Sequence, residues 1–412
     1  MTRRIDNGKR GLTPVDFDIA IAGGGMVGAS LALALRHSGY RIALIESVAP
    51  GQAAQPSYDD RGIALSLASA RVLRHVGIWD QVHRSATPIR RVHVSEQSRF
   101  GCVRMDAASL GAEALGHVVI ARELGGALWE CVRAAGNITA ICPESVLHVE
   151  QGVDLLAAHC SVSGRLRCRL LVVADGVESG LRAQLGIDVV RHDYRQSAIV
   201  ANVTMGQPHA DTAYERFDST GPLALLPLGQ QRMVAVNCVA SPGVPEWLAL
   251  GDAEYCAQLD QRLGGRLGGF VQCGARRVYP LQRVWPDRQV SGRAVLLGSA
   301  AANLHPNGAQ GFNLALRDVA ALAESLAGGP GTDPGSAPIL AGFAEARRED
   351  RERVSGFSHA LAQTFASGNP LLTGARQAGM LLTDLLPPVK RELMLFGAGL
   401  RGRQPGCVRN AA

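Results

Sequence analysis

Three glycine-centred stretches, far apart along 412 residues, limit most strongly what this chain can fold into. They are Gly23-Gly24-Gly25-Met26-Val27-Gly28, then Asp175-Gly176-Val177-Glu178-Ser179-Gly180-Leu181-Arg182, then the run from Gly298 to Asp318. The first is a weak signal by itself, because the chain has 48 glycines. Gly397-Ala398-Gly399-Leu400-Arg401-Gly402 repeats its spacing, but only residues 403 to 412 follow, too few for a helix and a strand. Context separates the two copies. Phe17 to Ala22 reads as a short buried strand, Met26 to Ser38 as a helix closing at Gly39, and Arg41 to Glu46 as a second apolar strand. Strand, glycine turn, helix and strand within about thirty residues make a βαβ unit.

In such a unit Gly23 permits the tight turn, Gly25 lets the backbone approach a pyrophosphate, and Gly28 lets helix pack on strand. The helix N-terminus then faces the anion. Glu46 ends the second strand, where a carboxylate accepts hydrogen bonds from ribose hydroxyls and repels a 2′-phosphate. The nucleotide expected is FAD or NAD, not NADP.

Residues 50 to 60 read as a loop, and Ile63 to Gly77 as helical. Ala121 to Ala135 places Leu124, Leu128 and Val132 on one helical face. Arg169 to Ala174 is an apolar strand running into Asp175-Gly176. Between about 190 and 285 the texture changes: Ser197–Thr204, Leu223–Leu228 and Met233–Val239 are short, often β-branched and separated by turn residues, as in an inserted antiparallel sheet. Ala294 to Leu297 is a last parallel-type strand, followed by a helix from Phe312 to Leu326 and a Gly/Pro-rich linker from Ala327 to Pro338. The expected class is α/β (α+β mixed). A Rossmann-like FAD-binding domain takes 15–85, 110–190 and 285–345, and a substrate domain takes 86–109 and 191–284. A flexible N-terminus (1–14) and a C-terminal helical region (346–412) complete the chain.

Composition removes several classes. Hydrophobic content of 47% with 19% charged residues is ordinary globular chemistry. The net charge of +6 suits acidic ligands or an anionic membrane surface. The basic residues are scattered, without a basic run interleaved with aromatics, so no nucleic-acid partner is expected. Nine cysteines lacking C-x-x-C spacing or a Cys/His cluster predict reduced thiols, a cytoplasmic protein and no metal. The first fourteen residues lack an apolar h-region, so no signal peptide is expected. No run of 18 apolar residues is present to span a membrane. There is no Gly-x-Ser-x-Gly elbow and no P-loop lysine. A second complete dinucleotide-binding unit is also missing, unlike a two-nucleotide disulfide reductase.

The spacing Asp175-Gly176-x-x-Ser179-x-x-Arg182, the run Val295 to Asp318, Asp60-Arg61-Gly62-Ile63-Ala64-Leu65, Glu215-Arg216-Phe217 and Gly221 to Pro227 carry a family resemblance. From Asp18 to about Leu400 the chain resembles the FAD-dependent aromatic hydroxylases, the group that includes para-hydroxybenzoate hydroxylase. Within it the chain is most similar to the ubiquinone-biosynthesis branch, the hydroxylases of 2-polyprenyl-6-methoxyphenol. That resemblance implies the para-hydroxybenzoate hydroxylase type of FAD domain, bound FAD, and NADH or NADPH as transient reductant. The implied reaction uses O2, passes through a C4a-hydroperoxide and hydroxylates a prenylated phenol. A sister hydroxylase of another ring position, a flavin-dependent prenyl-lipid reductase and a non-catalytic flavoprotein scaffold are the alternatives.

By the same resemblance Gly298 and Ser299 hold ribityl and pyrophosphate, and Asp175 belongs to the cofactor site. Pro306 to Asn313, with Gly308, Gln310 and Gly311, line the isoalloxazine, and the helix after Gly311 aims its positive end at the ring. Arg61 and Arg122 approach the flavin and pyrophosphate. Two departures stand out: Ser299 where relatives often carry Asp, and Gly308-Ala309-Gln310-Gly311 where the branch usually shows Gly-Gln-Gly. No catalytic side chain is assigned, and His305 reads as structural. Apolar faces at Pro370–Leu372, Met380–Leu382 and Leu385–Pro388, flanked by Lys390, Arg391, Arg401 and Arg403, suit either helices capping the FAD domain's own core or peripheral contact with the inner face of a membrane or a ubiquinone-synthesis complex. Oligomeric state is not legible.

Overall fold

In the computed structural model, which describes residues 15–52, 60–265 and 267–409, the chain opens with β1 (Phe17–Ala22), α1 (Met26–Ala34) and β2 (Ile42–Ile45). Next come β3 (Gly62–Ser66), α2 (Leu67–His75), the short α3 (Trp79–His83), β4 (Thr87–Ile89), β5 (Arg91–Glu96), β6 (Cys102–Asp106), β7 (Gly116–Ile120) and α4 (Ala121–Ala134). β8 (Ile138–Ile141), β9 (Val146–Gln151), β10 (Leu156–Cys160) and β11 (Gly164–Val173) lead into α5 (Gly180–Gln184). The middle of the chain holds β12 (Val189–Met205), β13 (Thr212–Phe217), β14 (Pro222–Leu228), β15 (Arg232–Ala240), α6 (Val244–Ala249), α7 (Asp252–Leu263), β16 (Phe270–Cys273) and β17 (Arg277–Pro286). It ends with β18 (Val290–Ser291), β19 (Ala294–Leu296), α8 (Gln310–Ser325), α9 (Ala337–Ala366), α10 (Pro370–Leu385), α11 (Pro387–Gly397) and α12 (Gly406–Arg409).

Continuous apolar runs such as Ile42-Ala43-Leu44-Ile45 suit strands covered on both faces. Five of them form a parallel core in the order β19-β11-β1-β2-β8, with Ile21 opposite Leu44 on one side and Val172 on the other. The winding reverses beside β1, so the carboxyl ends of β1 and β11 open a crevice, the usual place for a ligand in such sheets. A second sheet runs β16-β12-β15-β14-β13-β5-β6 with β17 on β12, antiparallel except where β13 meets β5. One face is covered by α7 through Tyr255, Leu259 and Leu263. The opposite face turns Ala213 and Val234 toward the small β3-β7-β4 sheet, which links the two halves.

Two sequence expectations need correction. Ile63 to Leu65 is strand, paired with Val119 to His117, and the helix starts only at Leu67. A short apolar run cannot be assigned by periodicity alone, and here the partner strand decides. The first helix ends at Ala34; residues 35 to 38 are turns before Gly39, which has φ +79°. The expected flexible N-terminus (1–14) and most of the expected loop (53–59) lie outside the described residues.

Candidate cofactor and substrate site

A cavity of about 1390 Å³ runs from the carboxyl ends of β1, β2 and β11 to the inner face of the second sheet, and all three glycine stretches line it. A single drug-sized ligand takes roughly 300–1,000 Å³, so a dinucleotide and a second molecule are accommodated. At its α/β end the wall is bare backbone. Gly23 has φ +106° and a Cβ there would lie 2.3 Å from the Ala174 carbonyl oxygen; one at Gly28 would lie 1.9 Å from that of Gly23. Gly25 precedes α1 with no side-chain cap, and the N-terminal turn of that helix lies at this cavity end. Glu46 fixes this turn: one carboxylate oxygen accepts the Gly24 N–H at 2.7 Å and the other the Val48 N–H at 2.8 Å. Trp129 completes the clamp, donating its indole N–H to the Gly24 carbonyl at 2.9 Å.

The second stretch is tied to the third by one buried arginine. Ser179 Oγ accepts the Arg182 N–H at 3.0 Å, and the Arg182 guanidinium donates to Ala300 O at 3.0 Å and Val177 O at 2.9 Å. Asp175 lines the cavity between them. Burial raises its carboxyl above the usual value, against the pull of Ser179, nearby backbone N–H groups and Arg182.

The third stretch bends through two successive left-handed residues, Gly308 (φ +63°) and Ala309 (φ +52°), before α8 begins. An alanine there costs on the order of 1–2 kcal/mol, and Asn313 holds the bend. Its side-chain amide donates to Ala64 O (2.9 Å) and Ala309 O (2.7 Å), and its oxygen accepts from Ser66 N (2.8 Å) and Ser69 Oγ (2.7 Å). All four hydrogen-bonding positions of the Asn313 amide are therefore used by protein. His305 is buried, with its ring edge-on to Tyr194 and Nε2 3.3 Å from Gln196 Oε1. Burial lowers its pKa to about 4, so it is neutral. Both amide atoms of Asn307 and Oε1 of Gln310 are buried without partners beside the cavity, a rare condition in a finished structure.

Of the residues singled out from sequence, Gly23, Gly25, Glu46, Arg61, Asp175, Gly298, Ser299, Pro306, Gly308, Gln310, Gly311 and Asn313 all line this one cavity. Arg61 also stacks on Tyr279, 4.9 Å from the ring centroid. Gly28 packs behind the wall. Arg122 stands outside it, half-exposed and paired with Asp60 at 2.6 Å.

Sequence reading missed two groups. Arg317 and Arg347 meet Asp350 at 2.8 and 2.6 Å, and Arg347 meets Asp318 at 2.6 Å, in a buried network that fixes α9 under α8. Arg317-Asp318 belongs to the third stretch, but its partners are nearly thirty residues or more downstream and carry no local signal. The other is Glu215, on a sheet face otherwise built from Val92, Val94, Val103, Met105, Ala213, Phe217, Ala224 and Leu226. Helices α9 to α11 close that end with Phe357, Leu361, Met380, Leu393 and Phe396.

The site therefore fits FAD: uncovered glycine backbone at a helix N-terminus, a carboxylate ending β2, and a polar loop at the junction with an apolar chamber. The family profile described as FAD binding domain matches residues 16–348. The ubiquinone hydroxylase UbiL of Rhodospirillum rubrum is 32% identical over 384 residues, covering 93% of this chain and 89% of that protein. The 3-demethoxyubiquinol 3-hydroxylase of Escherichia coli is 30% identical over 393 residues, covering 94% of this chain and 100% of that protein. Among solved structures, p-nitrophenol 4-monooxygenase PnpA from Pseudomonas putida shares the fold, with a TM-score of 0.77 over 95% of this chain and 99% of that one at 19% identity.

Proposed function

The chain belongs to the FAD-dependent aromatic hydroxylases, in the branch that contains the ubiquinone hydroxylases, and from that premise we propose that its substrate is a polyprenylated methoxyphenol. It is an FAD-dependent monooxygenase acting on the ring of a ubiquinone precursor. FAD, reduced by NADH or NADPH, supplies the oxygen activation that side chains cannot. The residues of the chain bind, orient and keep water out. The bare turn from Gly23 to Gly25 and the start of α1 take the pyrophosphate, and Glu46 takes the ribose. The N-terminal turn of α8 favours negative charge at the ring edge by roughly 0.3–2 kcal/mol. The apolar sheet face and α9 to α11 hold an apolar ring and tail away from water.

The observation that carries the substrate class is the joining of the glycine-lined end and the apolar chamber in one cavity. The experiment is turnover of a short-tailed prenyl methoxyphenol by the FAD-loaded protein with NAD(P)H and O2. A product heavier by one oxygen supports the reading. A hydrogenated product would make the protein a reductase, and bound FAD with no NAD(P)H oxidation would make it a scaffold.

Helix α10 supports a lipid surface as the place where the substrate is met. Among the described residues no helix is long and apolar enough to cross a membrane. α10 is amphipathic in the reverse sense to an ordinary surface helix. Its polar side faces inward, with Arg376 bonded to Glu96 and Asp384 to Arg104 at 2.6 Å. Its leucines face outward: Leu371 is 84%, Leu382 55% and Leu385 64% exposed. Met380 and Thr383 of the same helix line the cavity, so the exposed face and the chamber share one element.

A further inference from the structure

β13 directs Ala213, Glu215 and Phe217 along the cavity, and the cross-strand neighbours of Glu215 are Ala224 on β14 and Val94 on β5. The carboxyl group lies deep in the protein, and the surface that Glu215 retains faces the chamber. Its Oε1 has no partner. Among the described residues the donor directed at the group is the backbone N–H of Gly308, from the loop between the glycine-lined end and the chamber. A carboxylate placed in such surroundings is strongly disfavoured as a charge unless something uses it. We propose that Glu215 is the group that takes the proton of the substrate's phenolic hydroxyl.

The step is a proton transfer without change of oxidation state. The phenol O–H bond breaks, an O–H bond forms on the Glu215 carboxylate, and the electron pair left on the phenolic oxygen enriches the ring for attack by electrophilic oxygen. Burial raises the Glu215 carboxyl to about 7, only partly offset by the Gly308 N–H, near the value a base needs at neutral pH. Among the described residues the surrounding elements give it no charged partner. β14 and β5 offer Ala224 and Val94. β15 offers Cys238, whose thiol is pushed up to about 12 by burial, and the loop offers the neutral His305. Tyr214 and Arg61 line the same cavity, Arg61 stacked on Tyr279. Arg216 is turned away to Arg262 O and Ser95 Oγ.

The inference rests on the ring-hydroxylase reading, and its test does not use turnover. Binding of a short-tailed methoxyphenol and of its O-methyl ether to the oxidised FAD-loaded protein is followed by the change in flavin absorbance between pH 6 and 8. Glu215 accepts a proton only when ionised, so phenol affinity should rise about tenfold across that range as a group titrating near 7 loses its proton. The ether has no proton to give and should show no change. Glu215→Gln keeps an acceptor for the Gly308 N–H and should hold FAD while flattening the phenol profile. Equal pH slopes for phenol and ether in the unmodified protein would overturn the proposal, whether or not the variant holds flavin. So would an unchanged phenol slope in Glu215→Gln. Absence of any oxygenated product, by contrast, would count against the hydroxylase reading itself.

Discussion

On the α/β wall of the cavity glycine backbone makes much of the lining; on the opposite wall side chains make it. The first wall works by what is missing: a single carbon added at Gly23 in the wall, or at Gly28 behind it, would meet a carbonyl oxygen at 2.3 or 1.9 Å. The second works by what is present, a sheet face of branched and aromatic groups with Glu215 set into it. At those two glycines the backbone tolerates no added atom, whereas a side-chain wall tolerates exchange of similar volumes. The sharpest break of this comparison is therefore Gly23→Ala, which should yield protein without FAD, read as flavin absorbance per protein. Gly126→Ala is its counterpart, since nothing lies within 4 Å of an added carbon there. That variant should keep full flavin and gain helix propensity of roughly 1 kcal/mol in α4. Equal flavin retention by both would mean that the bare turn is not what holds the cofactor.

Next in size is the ion network beneath the glycine-lined end. Asp350→Ala strands Arg317, about 1% exposed, leaves the equally buried Arg347 with Asp318 alone, and should cost roughly 3–5 kcal/mol in denaturant unfolding. Burial alone would raise the Asp350 carboxyl, but Arg317 and Arg347 more than reverse this and hold it below its usual value. A depressed acid contributes its full stability above the unfolded value near 4 and loses it as pH falls through the folded one. The unmodified protein should therefore lose stability below about pH 4, and Asp350→Ala should lose less over that range. A variant as stable as the parent would show the network to be replaceable packing.

The two walls also differ in how far they can be read from sequence. Glycine spacing is local, so Gly23 and Gly25, the strand-end Glu46, and Gly298, Gly308 and Gly311 of the third stretch were all legible as cavity residues. What each does was less so. Asn313 lines the cavity while spending its amide on α2, β3 and its own loop, and Arg182 buttresses the wall. Glu215 lay in plain view in Glu215-Arg216-Phe217 but gained meaning only when the register of β13 set it between Ala224 and Val94, beneath Gly308. Strand register is a non-local fact that alternation alone does not supply. The same holds for Ile63 to Leu65, which only the partner strand β7 turns from apparent helix into sheet.

A smaller effect separates two arginines that sequence treated alike. Arg61 lines the cavity and stacks on Tyr279, whereas Arg122 pairs with Asp60 on the surface, both side chains more than half exposed. Exposed pairs of this kind contribute roughly 0–1 kcal/mol. Arg61→Ala should weaken FAD binding or slow flavin reduction by about tenfold or more, equivalent to roughly 1.4 kcal/mol. Arg122→Ala should stay within about twofold on that scale. Similar losses from both would place Arg122 at the cofactor in the loaded protein.

The smallest change in stability belongs to the outer face of the chamber. Leu382 and Leu385 are exposed on α10, and substitution of such surface positions normally moves stability by no more than about 0.5 kcal/mol. A Leu382→Glu, Leu385→Glu double variant should therefore melt with the parent and keep its flavin. Truncation before α10 is a poorer probe, because Met380 and Thr383 line the chamber and their loss would open it. On vesicles containing anionic lipid the difference should be large. Carboxylates placed where leucines meet the acyl boundary lose the apolar contact and are repelled by the surface, so the double variant should fail to float with vesicles that carry the parent upward. If both float alike, or neither does, the outward leucines are not a lipid contact, and a protein partner in a ubiquinone-synthesis complex becomes the better reading of this reversed helix.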